Sequence, residues 1–398
     1  MNQREFPILI LTFFLTTSFY ASQFTIDTIT YQITSETTVS IVSGCDEDEV
    51  YIPSSIHYNA SEYQVTEIGV AAFKNCKDLE HLEVADGILS IGEKAFYKCT
   101  NLIFVDLPFS LQSIGEEAFY ECVIEDLIIP KNVVFIGNNA FGLNKYISRV
   151  VFHKEGKLEV IGTKVFSECI SLIELNLPKS LQAIDSSAFY SCVKLTNLDL
   201  PESLIRIGPN AFENCTSLTN LTFPNGFTSI GTAAFSNNEN LTSIEFPETL
   251  DTIESFAFID CVSLQTIVNK NPVPQTIDAT VFQGIPPENL IITVPSDALS
   301  SYISNINWQS FTIHTDTTLG ASIQTKVTYD YVPYIDTSTE VLELMLAHDV
   351  KLKNIEIYAL NGTRITLNNI DISELQPGVY LLVVETELGV FQKQLFRY

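Results

Sequence analysis

The sequence is poor in basic residues. It holds 21 lysines and arginines against 48 aspartates and glutamates, which gives a formal net charge of −27 over 398 residues. A field of this sign repels phosphate backbones and anionic lipid headgroups. We therefore expect no nucleic-acid partner and no attachment to membranes through a basic patch.

The sequence also lacks the common signatures of catalysis and metal binding. None of its five histidines is followed by another at the i+3 or i+4 spacing that places two ligands on one helix face. It contains no G-x-S-x-G, no glycine-rich phosphate loop and no H-E-x-x-H. We therefore predict a protein that is not an enzyme, with no catalytic residues, no metal site and no cofactor.

Long apolar runs are absent except near the N-terminus. The run from Ile8 to Phe19 follows Arg4 and has about a dozen residues, too few for a comfortable bilayer span. This pattern predicts a signal peptide over residues 1–22, cut near residue 21 or 22. The mature chain is expected to have no membrane span.

What the sequence does contain is an internal repeat with a period close to 23 residues. A phenylalanine recurs ten times, with spacings of 22 to 25 residues, at Phe73, Phe96, Phe119, Phe141, Phe166, Phe189, Phe212, Phe235, Phe258 and Phe282. An isoleucine stands five positions before each, and glycine follows it in seven of the ten units. The glycine suggests a tight or positive-φ turn.

Between the phenylalanines lies an L-x-x-L-x-L-P pattern, clear in Leu195-Leu198-Leu200-Pro201. Its final alternation points every second side chain inward, and the proline ends the strand. One short strand per coil, repeated at this period, predicts a solenoid whose strands form a parallel sheet.

The unit resembles the BspA-like, or treponemal, class of leucine-rich repeat, as in "KLTNLDLPESLIRIGPNAFENC" (194–215). The resemblance implies a leucine-rich-repeat solenoid of about ten to eleven coils, with a parallel β-sheet on one face and short turns or 3-10 segments on the other. Residues 23–67 would form an N-terminal cap and opening coil, and 68–314 the solenoid. Residues 289–313 resemble the family's closing unit, with Tyr302, Trp308 and Phe311.

Seven of the eight cysteines lie three residues after a repeat phenylalanine, and two coils carry Asn144 or Asn238 in the same slot. Asparagine cannot form a disulfide but can hydrogen-bond to the backbone of a neighbouring coil. The slot therefore predicts a ladder of buried thiols, with about eight free thiols in unreduced protein. One or two disulfides, or a metal site, are the alternatives, and Cys45 is the one cysteine outside the register.

The x positions of the strand motif should face solvent on a concave sheet, and most are polar. The exceptions cluster on coils two to five and give a candidate binding patch of Ile103, Phe104, Ile128, Arg149, Val151 and Ile173. Exposed apolar patches with polar rims often mark interaction sites. The alternative is that the irregular fourth and fifth coils shift the register and bury some of these side chains.

After the repeats, residues 315–339 are polar and threonine-rich and predict a linker. Residues 340–398 show short alternating strands joined by Asn361-Gly362 and Pro377-Gly378, which predicts a small β-sandwich. This module resembles a type IX secretion sorting domain in Ile357-Tyr358 and in "LQPGVY" (375–380), although it lacks the usual Asn-Pro near its start. The resemblance implies contact with secretion machinery.

Together these features favour a secreted or outer-surface adhesion protein that binds an extracellular protein or glycan, such as a host matrix protein or another cell, with its concave face. The alternative is a structural or self-assembling surface or biofilm component that binds itself or glycans. Solenoid faces serve both roles.

Overall fold

The computed structural model describes residues 22–45 and 47–315, and beyond them six strand segments at 332–336, 341–345, 352–359, 364–365, 378–386 and 389–397. The predicted signal peptide lies outside these residues except for its last position. Residues 49–315 form the predicted leucine-rich-repeat solenoid, with about 12 turns and almost no helix.

One face of the solenoid is a row of parallel strands that we call the long-strand sheet. Its strands are Glu49–Ile52, His81–Val84, Phe104–Asp106, Asp126–Ile129, Arg149–Phe152, Glu174–Asn176, Asn220–Thr222, Ser243–Phe246, Thr266–Asn269, Ile291–Val294 and Thr312–Thr315. Hydrogen bonding divides the row into three parallel segments. Side chains alternate between the core and the outside, as the L-x-L pattern predicts.

A second parallel row, the short-strand sheet, contains the repeat isoleucines. Its two-residue strands are Ser90–Ile91, Ser113–Ile114, Phe135–Ile136, Val160–Ile161, Ala183–Ile184, Arg206–Ile207, Ser229–Ile230 and Thr252–Ile253. The sequence predicts turns or 3-10 segments away from the main sheet. Instead, this side has a second strand ladder followed by turns, and the one 3-10 helix in the described part of the chain is Pro287–Asn289.

The turns around each repeat phenylalanine form a third row, the turn ladder. In the first coil the N–H groups of Ala71, Phe73 and Asn75 donate to carbonyls of the next coil at 2.9, 2.7 and 2.8 Å. The residues two before and two after the phenylalanine have left-handed φ values in nine successive coils, from Ala71 (56°) and Asn75 (63°) to Phe256 (63°) and Asp260 (58°). Because left-handed backbone costs about 1 kcal/mol or more for an L-residue, the inter-coil bonds must offset it at each position.

The repeat glycines allow the backbones of neighbouring coils to approach closely. They do not have the positive φ that the sequence suggested. Gly115, for example, lies so near the previous coil that a Cβ atom would sit 2.5 Å from the backbone nitrogen of Glu93. The left-handed residues lie elsewhere in the turn, at positions that are mostly not glycine. Glycine therefore recurs at this position because the neighbouring coil leaves no room for a side chain.

The ten repeat phenylalanines are buried and stack in one continuous column. Ring centroids of successive coils lie 5.0 to 5.7 Å apart, and the planes are within 13° of parallel. This column confirms the predicted row. Because each ring is covered by its neighbours on both sides, no coil can bury its own phenylalanine alone.

The cysteine slot is a ladder of thiol hydrogen bonds. Each of the six free thiols donates to the carbonyl oxygen of the repeat phenylalanine one coil earlier, at 3.1 to 3.4 Å. Asn144 and Asn238 make the same bond through Nδ2, at 2.7 and 2.9 Å. Burial holds the pKa of Cys192 well above its ordinary value, so the thiol remains a protonated donor.

The first rung of this ladder departs from the prediction of eight free thiols. Cys76 forms a disulfide with Cys45, the cysteine outside the register. The bond joins the N-terminal cap to the first coil. The single-disulfide alternative is therefore the correct one for this rung, and six thiols remain.

Both ends of the column are covered. At the N-terminus, Gln23–Ile26, Ile29–Ile33 and Thr38–Ser43 form an antiparallel cap that continues into Ser61–Ile68, against which Ser55–Tyr58 folds back. At the C-terminus, Phe282 meets Trp308 and Phe311 edge-on, at 6.1 and 5.6 Å. The Trp308 Nε1–H donates to the Gln275 carbonyl at 2.8 Å, so the closing unit is fixed by a directed bond.

Helix is confined to the short segment Leu299–Ser304 and the 3-10 turn within the described solenoid. No helix in the described part of the chain is both long and apolar enough to span a bilayer. Further along, Val332–Asp336 pairs with Val341–Met345, although the sequence predicts a linker over 315–339. A four-stranded antiparallel sheet has the order Arg364–Ile365, Leu352–Ala359, Gly378–Thr386, Gly389–Arg397.

We expect unreduced, denatured protein to titrate with six free thiols and fully reduced protein with eight, because two of the eight cysteines are paired. Cys45→Ser should give seven thiols without reductant and lower the free energy of unfolding by about 3 to 4 kcal/mol, since the bond closes a loop of 31 residues. Thiol titration and urea denaturation measure both. Eight thiols without reductant would refute the pairing.

Asn238→Cys should raise the free energy of unfolding by about 1 kcal/mol. The Oδ1 atom of Asn238 is buried without a partner, whereas a thiol in this slot keeps the bond to the preceding coil and leaves no orphaned acceptor. The reverse change, Cys215→Asn, should lower stability and is the matched control. Equal stability of all three proteins in urea titrations would contradict this account of the slot.

Candidate binding face

The outward positions of the long-strand sheet form two columns along the solenoid. The first column, read from strand to strand, is Glu49, His81, Phe104, Asp126, Arg149, Glu174, Asn220, Ser243, Thr266 and Ile291. The second is Tyr51, Glu83, Asp106, Ile128, Val151, Asn176, Thr222, Glu245, Val268 and Thr293. The columns agree with the register that the sequence predicts.

Aromatic side chains concentrate at the N-terminal end of this face. Phe104 is 51% exposed and stacks on His81, with ring centroids 4.6 Å apart and planes 13° from parallel. Tyr51 in the second column is 57% exposed. Cross-strand register places His81 directly opposite Phe104 and Tyr51 opposite Glu83, so the rings lie on adjacent strands of one sheet.

The same coils carry a row of carboxylates. Glu83 lies in register between Tyr51 and Asp106. Burial, and then the charge of Asp106, raise the pKa of Glu83 from 4.5 to about 7. Burial, and then the charge of Glu83, also raise the pKa of Tyr51, so its hydroxyl stays neutral. This part of the face is therefore both aromatic and acidic.

Farther along, the charge is balanced. The Arg149 Nη2 atom lies 3.2 Å from the Asp126 carboxylate, which faces it in register on the neighbouring strand. Arg149 is thus engaged within the face. Ile128 and Val151 are also register partners and lie side by side in the second column.

The predicted patch is only partly exposed. Phe104 and Ile173 (44%) are open to solvent, whereas Ile103, Ile128 and Arg149 are half-buried. Val151 is 2% exposed, so its prediction as an accessible residue is wrong. It keeps its outward position in the register but is buried, as the alternative interpretation expected for some of these side chains.

Two members of the aromatic group were missed from sequence. Tyr51 lies in the opening coil, where "VYIP" (50–53) stands in place of L-x-L-P and would have placed Tyr51 in the second column. His81 stands in the predicted outward row, but its stacking on Phe104 depends on how the two side chains turn across neighbouring strands. The sequence of one strand alone does not predict a contact between side chains on two strands.

Comparisons with known proteins agree with this architecture. Residues 66–192 and 182–303 match the model of the BspA type leucine rich repeat region, in six copies. No match is found among curated proteins.

Similar solved structures include a leucine-rich repeat protein from Bacteroides ovatus. It is 27% identical, with a TM-score of 0.52, and the alignment covers 70% of this chain and 80% of that one. A leucine rich cell surface protein from Faecalibacterium prausnitzii is 24% identical, with a TM-score of 0.46 and coverage of 75% and 95%. Since the repeat match spans more than half of the sequence, the chain belongs to the family of the BspA-type leucine-rich repeat.

Proposed function

We propose that the chain is a non-enzymatic, secreted or cell-surface protein that binds an extracellular protein through the outward face of its long-strand sheet. The observation that carries this proposal is the exposed aromatic group of Tyr51, His81 and Phe104. Aromatic side chains anchor protein–protein contacts because they bury large areas with few rotatable bonds. Leucine-rich-repeat solenoids of this family are typically not enzymes.

The chemistry of the face favours a ligand with basic side chains. Glu49, Glu83 and Asp106 lie beside the aromatic group on adjacent strands. Lysine and arginine can pair with these carboxylates and also lie over the aromatic rings. Association should therefore speed up at low salt, as expected for opposite charges on two partners.

The predicted signal peptide at 1–22 and the sorting-type module at 340–398 support transport out of the cell. We propose that the module, whose strands from Leu352 to Arg397 form an antiparallel sheet, contacts type IX secretion machinery. The solenoid would then reach the outer surface or the medium.

Phe104→Ala should weaken binding to the best ligand in a panel of immobilised matrix proteins and mucins by at least tenfold, because it removes the exposed ring that stacks on His81. Surface plasmon resonance on the full chain measures the affinity, and circular dichroism checks the fold. The matched control is Ile291→Ala, which removes an exposed apolar side chain from the same column near the C-terminal end. Its affinity should stay within twofold of the parent.

Equal loss in both variants would place the binding elsewhere on the molecule. If a folded chain bound no ligand in the panel but associated with itself at low micromolar concentration, the proposal would give way to a structural, self-assembling role.

The raised pKa of Glu83 makes a prediction about pH. The folded state holds this proton more tightly than the unfolded state, so the contribution of Glu83 to stability falls as pH rises from about 4.5 through about 7. Glu83→Gln should raise the free energy of unfolding at pH 8 by about 1 kcal/mol, reduced from the full conversion because the side chain is half-solvated, and by less at pH 5.

The control is Glu245→Gln. Glu245 occupies the same column, but its carboxylate pairs with Lys270 at 2.5 Å, so its loss should give no gain. Urea titrations of both variants at the two pH values give the comparison. A gain for Glu83→Gln that is the same at pH 5 and pH 8 would contradict the assignment.

A further inference from the structure

On the turn ladder, away from the long-strand sheet, the side chains that follow the repeat phenylalanines form a column of their own. Its members are Lys74, Tyr97, Tyr120, Gly142, Ser167, Tyr190, Glu213, Ser236 and Ile259. Tyrosine occupies this position in three coils, and two coils between Tyr120 and Tyr190 carry small residues instead. At about 5 Å per coil, the two tyrosines are separated by roughly 15 Å.

This interruption of the tyrosine column produces a groove of about 370 Å³. Tyr120 and Tyr190 line its two ends, with Gly142 and Ser167 between them. The volume lies at the lower end of the range for small-molecule sites. It is the absence of large side chains on two successive coils that opens the groove, since the backbone ladder continues through them without a break.

The Tyr120 wall is held in place. Its ring stacks on Tyr97 at 5.4 Å, with the planes 9° from parallel. Its edge leans over Gly142, where a Cβ atom would lie 3.2 Å from the ring. Burial, and then nearby charges that include Glu168, raise the pKa of Tyr120, so its hydroxyl remains a hydrogen-bond donor.

Polar groups line the groove between these walls. Ser167 is 8% exposed and lines the groove. Lys164 and Glu168 flank it on the same coil, both in the left-handed turn positions and both exposed. On the next coils, the Asn210 Nδ2–H donates to Glu213 at 2.6 Å. The groove therefore offers donors and acceptors, with the Lys164 ammonium and the Glu168 carboxylate beside the serine and a second carboxylate, Glu213, farther along.

We propose that this groove binds a neutral disaccharide unit of a glycan, because two linked sugar rings are needed to reach both tyrosine walls. The C–H faces of a sugar ring pack against aromatic rings, and its hydroxyls need both donors and acceptors at its edge. The Ser167 hydroxyl, the Lys164 ammonium and the Glu168 carboxylate supply these groups beside the tyrosine walls. The site is separate from the long-strand sheet, so it is independent of the protein-binding function proposed above.

The decisive variant fills the groove with a side chain that other coils already carry at the same repeat position. Ser167→Tyr places a tyrosine where three other coils already have one, and it should lower affinity for the sugar at least tenfold. Ser236→Tyr makes the same substitution in the same column, three coils farther on and outside the groove, and affinity should stay within twofold. Tyr190→Ala, which removes the second wall, should also weaken binding at least tenfold.

Binding is measured with the full chain on an array of neutral oligosaccharides ending in hexoses or N-acetylhexosamines. The strongest hit is then titrated by calorimetry with the parent and each variant, and thermal melting monitors the fold. Selective loss in Ser167→Tyr and Tyr190→Ala supports the site. No binding of the parent to any neutral glycan at millimolar concentration overturns it, as would equal affinities of Ser167→Tyr and Ser236→Tyr.

Discussion

The structure depends on one repeated interaction, the donation of backbone N–H groups from each turn to the carbonyls of the following coil. These bonds fix the distance between coils, and that distance sets the stacking of the phenylalanine rings at 5.0 to 5.7 Å. They also compel two residues per turn to adopt left-handed backbone, whether the side chain is alanine, lysine, glutamate or phenylalanine. The local conformation is thus imposed by the neighbour, and no coil would hold it alone.

The side chains of the core follow from the same spacing. A thiol or an asparagine amide three residues after the phenylalanine reaches back to the preceding coil, so the phenylalanine carbonyls from Phe73 to Phe235 are shared between two coils. Apolar stacking and directed hydrogen bonds therefore act on the same rung. The backbone register and the packing of the core cannot change independently.

Much of this could be predicted from sequence, because a feature that recurs every 23 residues reports on contacts between coils. The phenylalanine column, the cysteine slot and the outward register of the strands all recur. Features without a counterpart in other coils were missed. The pairing of Cys45 is one, and the burial of Val151 is another.

The left-handed residues were missed for a different reason. Their φ values come from hydrogen bonds to the next coil, and although asparagine recurs at these positions, many of the residues, such as Lys94 and Leu143, have no preference for left-handed backbone. The recurring glycines led to the wrong position for left-handed backbone, because glycine is required there by the close approach of neighbouring coils and not by a positive φ. The candidate binding face has the same limit. The alternation of apolar and polar residues predicts which side chains point outward, but it does not predict that the His81 ring stacks on Phe104.

The turn ladder also gives the solenoid a direction. Its N–H groups all point toward the C-terminal end and its carbonyls toward the N-terminal end, so the two ends are chemically unlike. The Gly44 N–H meets the Ala72 carbonyl at the first coil, and the Asp278 carboxylate accepts the Thr280 N–H near the last. Two uncapped solenoids could continue this ladder only head to tail, which is the geometry of an open filament. The caps therefore act as polymerisation blocks, one for each polarity.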